Sequence, residues 1–247
     1  MSFPLAHPAA VLPFRSYCPR FLSFPALVWG SLTPDLGYFF EGTALEDLSH
    51  TLLGSIGFCL PVGLLTFGLC YFLALVLAKH LPVLRPLLQR PASLSAAIIF
   101  SLIISLLIGI WTHLLLDSVT HTHGWATEHW PVLQSAIIQV YGRKVRLCHL
   151  IWYGSSFAGV AWLYWAFLEW KETKMPQVVS RSGRSRLLEA TLVASSVVPI
   201  ELAHHLVRGI IGPILVATLS LALVVGVLIR CRPRQLDSVR GKASLPG

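Results

Sequence analysis

The chain has 247 residues, of which 55 % are hydrophobic and only 12 % charged. An ordinary soluble domain carries about twice that charge, so the composition points away from a water-soluble enzyme and toward a polytopic membrane protein whose element lengths the bilayer sets. The formal net charge of +8 falls largely in short loops between apolar runs, with no basic stripe interleaved with aromatics, which argues against nucleic acid as a partner.

Residues 1–23 are rich in proline and read as an irregular surface segment or a short interfacial helix. No positive run followed by a continuous apolar run precedes Pro4, His7, Pro8 and Pro13, so no cleaved signal peptide is expected. Residues 24–40 are apolar but broken by Gly30, Pro34 and Asp35, which suits a short helix packed on the bundle better than a crossing. Residues 41–50 hold Glu41, Glu46, Asp47 and His50 and form an acidic approach to the first span.

Five transmembrane helices are expected, at about 52–78, 94–116, 147–168, 187–206 (kinked at Pro199) and 209–229. Lys79, Arg85 and Arg90 sit in one connecting loop, and Lys171, Lys174, Arg181, Arg184 and Arg186 in another. Arg230, Arg232, Arg234, Arg240 and Lys242 follow the last span. Loop charge places these three segments in the cytoplasm, leaving residues 1–51 and the loop 117–146 outside. The expectation is one all-α membrane bundle over residues 1–230, its N-terminal segment packed over the outer end, with a disordered basic cytoplasmic tail at 231–247. The scattered Cys18, Cys59, Cys70, Cys148 and Cys231 give neither a disulfide framework nor a thiolate metal site.

Within this topology His7, His50, His113, His121, His123, His129, His149, His204 and His205 fall on the outer side, and only His80 on the inner. His113, Asp117 and His121 are spaced i, i+4, i+8 and so share one helix face. Taken alone, that stripe is either a polar helix end bonded to its neighbours or a site for a zinc-like ion. His149 opens the third span on the same side, and Glu201 and His205 offer a further role there. His129 reads as interfacial. Trp125, Trp130, Tyr141, Trp152 and Tyr153 form one aromatic belt, and Arg143, Lys144 and Arg146 either hold a lipid phosphate or meet headgroups.

The runs Ala6-His7-Pro8-Ala9-Ala10-Val11-Leu12-Pro13, Gly30-Ser31-Leu32-Thr33-Pro34-Asp35, His50-Thr51, His113 to His121 with Gly124-Trp125, and Gly154-Ser155-Ser156 resemble an uncharacterised bacterial membrane family, the domain of unknown function numbered 4184, over about residues 3–230. That family implies no activity. The same order of residues is more distantly similar to membrane-bound metal-dependent hydrolases and to the all-helical zinc-dependent phospholipase C and P1-type nuclease group. This second resemblance implies one zinc on Asp35, His50, His113 and Asp117, and another on His7 and Asp117. It implies a third on His121 or His123 with His149, although Tyr153 stands where that group has a Glu. It further implies a phosphoester hydrolase of the bacterial plasma membrane, with Asp117, Asp35 and His121 in catalytic roles around a metal-activated water at the extracytoplasmic face. Membrane lipids or lipid-linked phosphates are the expected substrates. The competing readings are a haem-binding protein and a non-catalytic metal-binding or transport protein.

Overall fold

The structure is a computed structural model that describes residues 4–19, 21–77, 95–140 and 143–174. The loop at 79–93, the expected spans at 187–206 and 209–229, Glu201, His204, His205 and the basic tail lie outside the described residues.

The described chain is mostly helical. Its helices are α1 (Phe14–Tyr17), α2 (Phe24–Gly30), α3 (Ala44–Ser49), α4 (Leu52–Gly54), α5 (Leu60–Leu77), α6 (Ala96–Thr120), α7 (Trp125–His129) and α8 (Leu147–Lys174). Three 3-10 turns, Pro4–Val11, Pro34–Phe40 and Pro131–Gln134, each open on a proline, which presets the backbone φ and needs no N–H at a first turn. A π-helical turn, Ser55–Cys59, joins α4 to α5 without a break.

Among the described residues, two stretches are long and apolar enough to cross a membrane, Leu52–Val76 and the run beginning at Ala96. Both start on a hydroxyl cap: Gly54 N–H donates to Thr51 Oγ1 at 2.9 Å, and Ile98 N–H to Ser95 Oγ at 3.4 Å. Only 11 % of the most apolar window in the first is buried within the described chain, which is unlike the core helix of a soluble protein. Leu52, Leu53, Ile56, Leu65 and Phe72 stand bare along it, and Phe100 and Leu115 on α6.

The N-terminal segment packs over the His113–Asp117 end of α6 and continues far along the helices. Ala6 lies against Gly159 of α8, where an added Cβ would meet it at 3.0 Å, and Ala9 and Leu12 cluster with Ala166. Arg15 Nη1 reaches the Ala166 carbonyl at 3.0 Å. The chain then turns back: Ser23 N–H donates to Ser105 Oγ at 2.8 Å, and α2 runs beside α6 toward His113. Gly30 meets the Leu106 backbone and Gly109 meets the Leu27 carbonyl, so glycine on each helix permits backbone contact. Thr33 then packs on Gly63 of α5, and Trp29 Nε1 donates to Thr66 Oγ1 at 2.9 Å.

One element departs from the all-α expectation. Residues Ala136–Val140 (β1) and Arg143–Arg146 (β2) pair antiparallel, with Ile138 opposite Val145 and Gln139 opposite Lys144. The β-branched Ile137, Ile138, Val140 and Val145 suit an extended ribbon.

Candidate metal centre

Four segments distant in sequence deliver the site. The Pro4–Val11 turn brings His7, the Pro34–Phe40 turn Asp35, the end of α3 His50, and α6 brings His113 and Asp117. The helix itself stops at Thr120. His121 is extended (φ −100°, ψ 144°), its N–H still donating to the Asp117 carbonyl at 3.1 Å. The turn beyond is pinned by Thr127 Oγ1, which lies 2.6 Å from the His121 carbonyl.

Asp117 is the hub. Its Oδ2 lies 3.1 Å from His113 Nε2 and 3.7 Å from His50 Nε2. Its Oδ1 lies 3.4 Å from His121 Nδ1 and 3.8 Å from His7 Nε2. Each carboxylate oxygen therefore faces two imidazoles. Asp35 Oδ1 adds a second carboxylate 3.7 Å from His113 Nε2. Ligand atoms of His7, Asp35 and His113 fall within 4.8 Å of one another, as do those of His50, His113 and Asp117. His7 and His113 are buried and stacked, ring centroids 3.6 Å apart at 18°.

The surroundings fix which nitrogens can act as ligands. His113 Nδ1 is 2.8 Å from the Ser31 carbonyl, which can only accept, so Nδ1 carries a proton and the neutral ring has its lone pair at Nε2. Ser49 Oγ donates to the Glu46 carbonyl at 2.7 Å, so at 2.8 Å from His50 Nδ1 it accepts. His50 Nε2 is then also a free base facing Asp117. Asp35 Oδ2, His50 Nε2, His113 Nε2 and His121 Nε2 are buried and make no hydrogen bond within the described chain.

Burial dominates the titration of the groups outside α6. It pushes the Asp35 carboxyl up to about 7, with Asp117 adding to the rise and His113 opposing it. Burial holds His7 well below the usual imidazole range, and neighbouring His113 lowers it further. It lowers His50 to about 4, again with His113 in the same direction.

His123 is exposed on the turn after α6, and His149 accepts the Arg146 N–H at 3.3 Å at the start of α8; neither joins the two ligand groups. His129 stacks on Trp125, exposed. Three residues of the site have no role that the sequence announces. Ser31 contributes through its carbonyl, which leaves no side-chain signal. Ser49 touches His50, and the dipeptide Ser49-His50 was the available hint. Tyr38 packs its ring 5.0 Å from that of His50, but sits in a stretch read only as apolar.

The arrangement suits a cation. Six ligand-type side chains converge, two of them carboxylates, and their donor atoms are buried and aimed at shared space. Neither the curated proteins nor the solved structures contain a match to this chain. A family model described as Domain of unknown function (DUF4184) matches residues 1–231, nearly the whole sequence, and the chain belongs to that family.

Proposed function

We propose that the protein is a metal-dependent phosphoester hydrolase of the membrane, its site at the extracytoplasmic headgroup level of a five-span bundle with a cytoplasmic C-terminus. The observation that carries this reading is the spacing around Asp117. Its four imidazole nitrogens stand at 3.1–3.8 Å, whereas a charge-assisted hydrogen bond closes to about 2.7–2.9 Å. Donors held at about 2.0–2.2 Å from one tetrahedral zinc are themselves about 3.3 Å apart. The separations therefore match ligands around an ion better than ion pairs.

Asp117 would bridge two ions. His50, His113 and Asp35 would hold one ion with Asp117, and His7 the other. His123 and His149 stand outside the cluster, so two ions suit the described residues better than three. Ions so placed supply a water made acidic enough to attack near neutral pH, and charge to stabilise the phosphoryl oxygens. Asp117 would keep the ions in register, Asp35 would orient the attacking water, and the half-buried His121 would protonate the leaving oxygen. The bare aliphatic flanks of α5 and α6 begin level with this cluster, which favours lipid or lipid-linked phosphate as substrate. A haem reading is disfavoured because the stacked His7 and His113 leave no slot for a macrocycle between them.

The test is elemental analysis of the purified chain joined to a phospholipid-vesicle hydrolysis assay. Wild type should carry stoichiometric zinc or manganese and release headgroup phosphate, and Asp117→Asn should lose both. Wild type free of bound metal would overturn the proposal.

A further inference from the structure

We infer that the segment from Trp125 to Arg146 is a surface anchor that seats on an anionic phospholipid leaflet. Trp125, Trp130, Val132, Ile137 and Ile138 all expose half or more of their surface within these twenty-two residues. The two indoles meet edge to face, centroids 6.4 Å apart. The strand pairing is irregular between Ala136 and Ile138, which leaves two adjacent isoleucines both bare.

A lone two-stranded ribbon is marginal in water, and among the described residues this one is tied down near its base. Leu147 N–H donates to the Ser135 carbonyl at 3.0 Å, and Arg146 Nη1 to Gln134 Oε1 at 3.1 Å. Apolar surface of this kind calls for a covering phase. Paired tryptophans with one apolar and one polar edge suit the headgroup boundary.

Charge selects the lipid. The segment holds Arg143, Lys144 and Arg146 against a single acid, Glu128. Lys144 is exposed on β2, opposite Gln139 of the apolar strand. A lysine on one strand and bare isoleucines on the other match a layer with phosphate outside and acyl chain inside. Exposed apolar side chains also stand on the adjoining helices, Trp111 and Leu115 on α6, and Leu150, Tyr153 and Phe157 on α8. The inference concerns attachment alone and stands apart from the hydrolase proposal, since Trp125, Trp130, Lys144 and Arg146 belong to neither ligand group.

The full-length protein is reconstituted in vesicles of phosphatidylcholine with about a quarter phosphatidylglycerol. Wild type is compared with the Trp125→Phe/Trp130→Phe variant, and the difference in emission isolates the two indoles. Brominated lipid should quench that difference emission at least about twofold more strongly than in a Lys144→Glu/Arg146→Glu chain, and more strongly than in pure phosphatidylcholine. Quenching by aqueous iodide in place of brominated lipid would overturn the inference. So would indifference to lipid charge, or a cross-link through this segment to a second copy or another protein. Bound metal, measured alongside in every variant, should not change.

Discussion

At the scale of single residues, the site depends on groups that hold the ligands as much as on the ligands. Ser49 fixes the His50 tautomer, and Gly37 leaves room for it, since a Cβ there would collide with Ser49 Oγ. Ser49→Ala should lower zinc affinity by about tenfold or more while leaving the fold intact, as loss of a hydrogen bond behind a ligand usually does. Competitive chelator titration reads this, and unchanged affinity would remove Ser49 from the site. Asp35 should set the pH dependence. With its carboxyl at about 7, binding a cation below that pH must displace a proton, so apparent affinity should fall by up to about tenfold per pH unit below 7. His50, lowered to about 4, remains a free base over this range, and Asp35→Asn should make the dependence shallower. Metal-free stability follows opposite signs. The contribution of Asp35, whose folded value is raised, is lost as pH rises through about 7. That of His50, whose folded value is lowered, is lost as pH falls through about 4. The stripe His113, Asp117, His121 was legible as i, i+4, i+8, but the last step is not helical. The helix ends at Thr120, and His121 reaches Asp117 from an extended cap. That His7, Asp35 and His50 belong together was legible only through resemblance, because no periodicity links a proline-rich turn to a helix on the far side of another span.

At the scale of elements, the contact of α2 with α6 is what positions His113. Gly30 and Gly109 bring the backbones together, and at the next residue after Gly30 the Ser31 carbonyl meets the imidazole. Gly109→Leu should therefore both destabilise the protein, by about 1–3 kcal/mol from overpacking, and weaken metal binding through Ser31. Thermal unfolding and metal titration on the same sample would separate the two effects. A stable variant with full affinity would show that α2 does not orient the ring. The long apolar runs of α5 and α6 were plain in the sequence, because aliphatic blocks with capping Thr51 and Ser95 have few other solutions. The hairpin was not, since five residues of Ala136–Val140 are too few for alternation to stand out inside a loop.

At the scale of the whole molecule, residues 4–19 go down along α8 and residues 21–33 come back along α6. Ala166 lies nineteen residues beyond Leu147 on α8, about 28 Å along the axis, close to the full hydrocarbon thickness. Arg15, which bonds there, should thus sit near the opposite membrane surface from Asp47. In a chain with its native cysteines replaced by serine, Arg15→Cys should react with impermeant maleimide only from the cytoplasmic side, and Asp47→Cys only from outside. Labelling of both from one side would remove the re-entrant arrangement. Such a loop was illegible because each limb is too short and too interrupted to read as a span. The π-helical turn Ser55–Cys59 bears on the same architecture. A turn of this kind holds one residue more than an α-turn while leaving the helix on either side undisturbed. Above it the chain must offer His50 to Asp117; below it Gly63 and Thr66 must meet Thr33 and Trp29. Deleting Gly57, where a side chain would touch nothing, should convert the bulge to regular helix and keep both alignments, whereas deleting a residue from the middle of α5 should rotate one end out of step with the other.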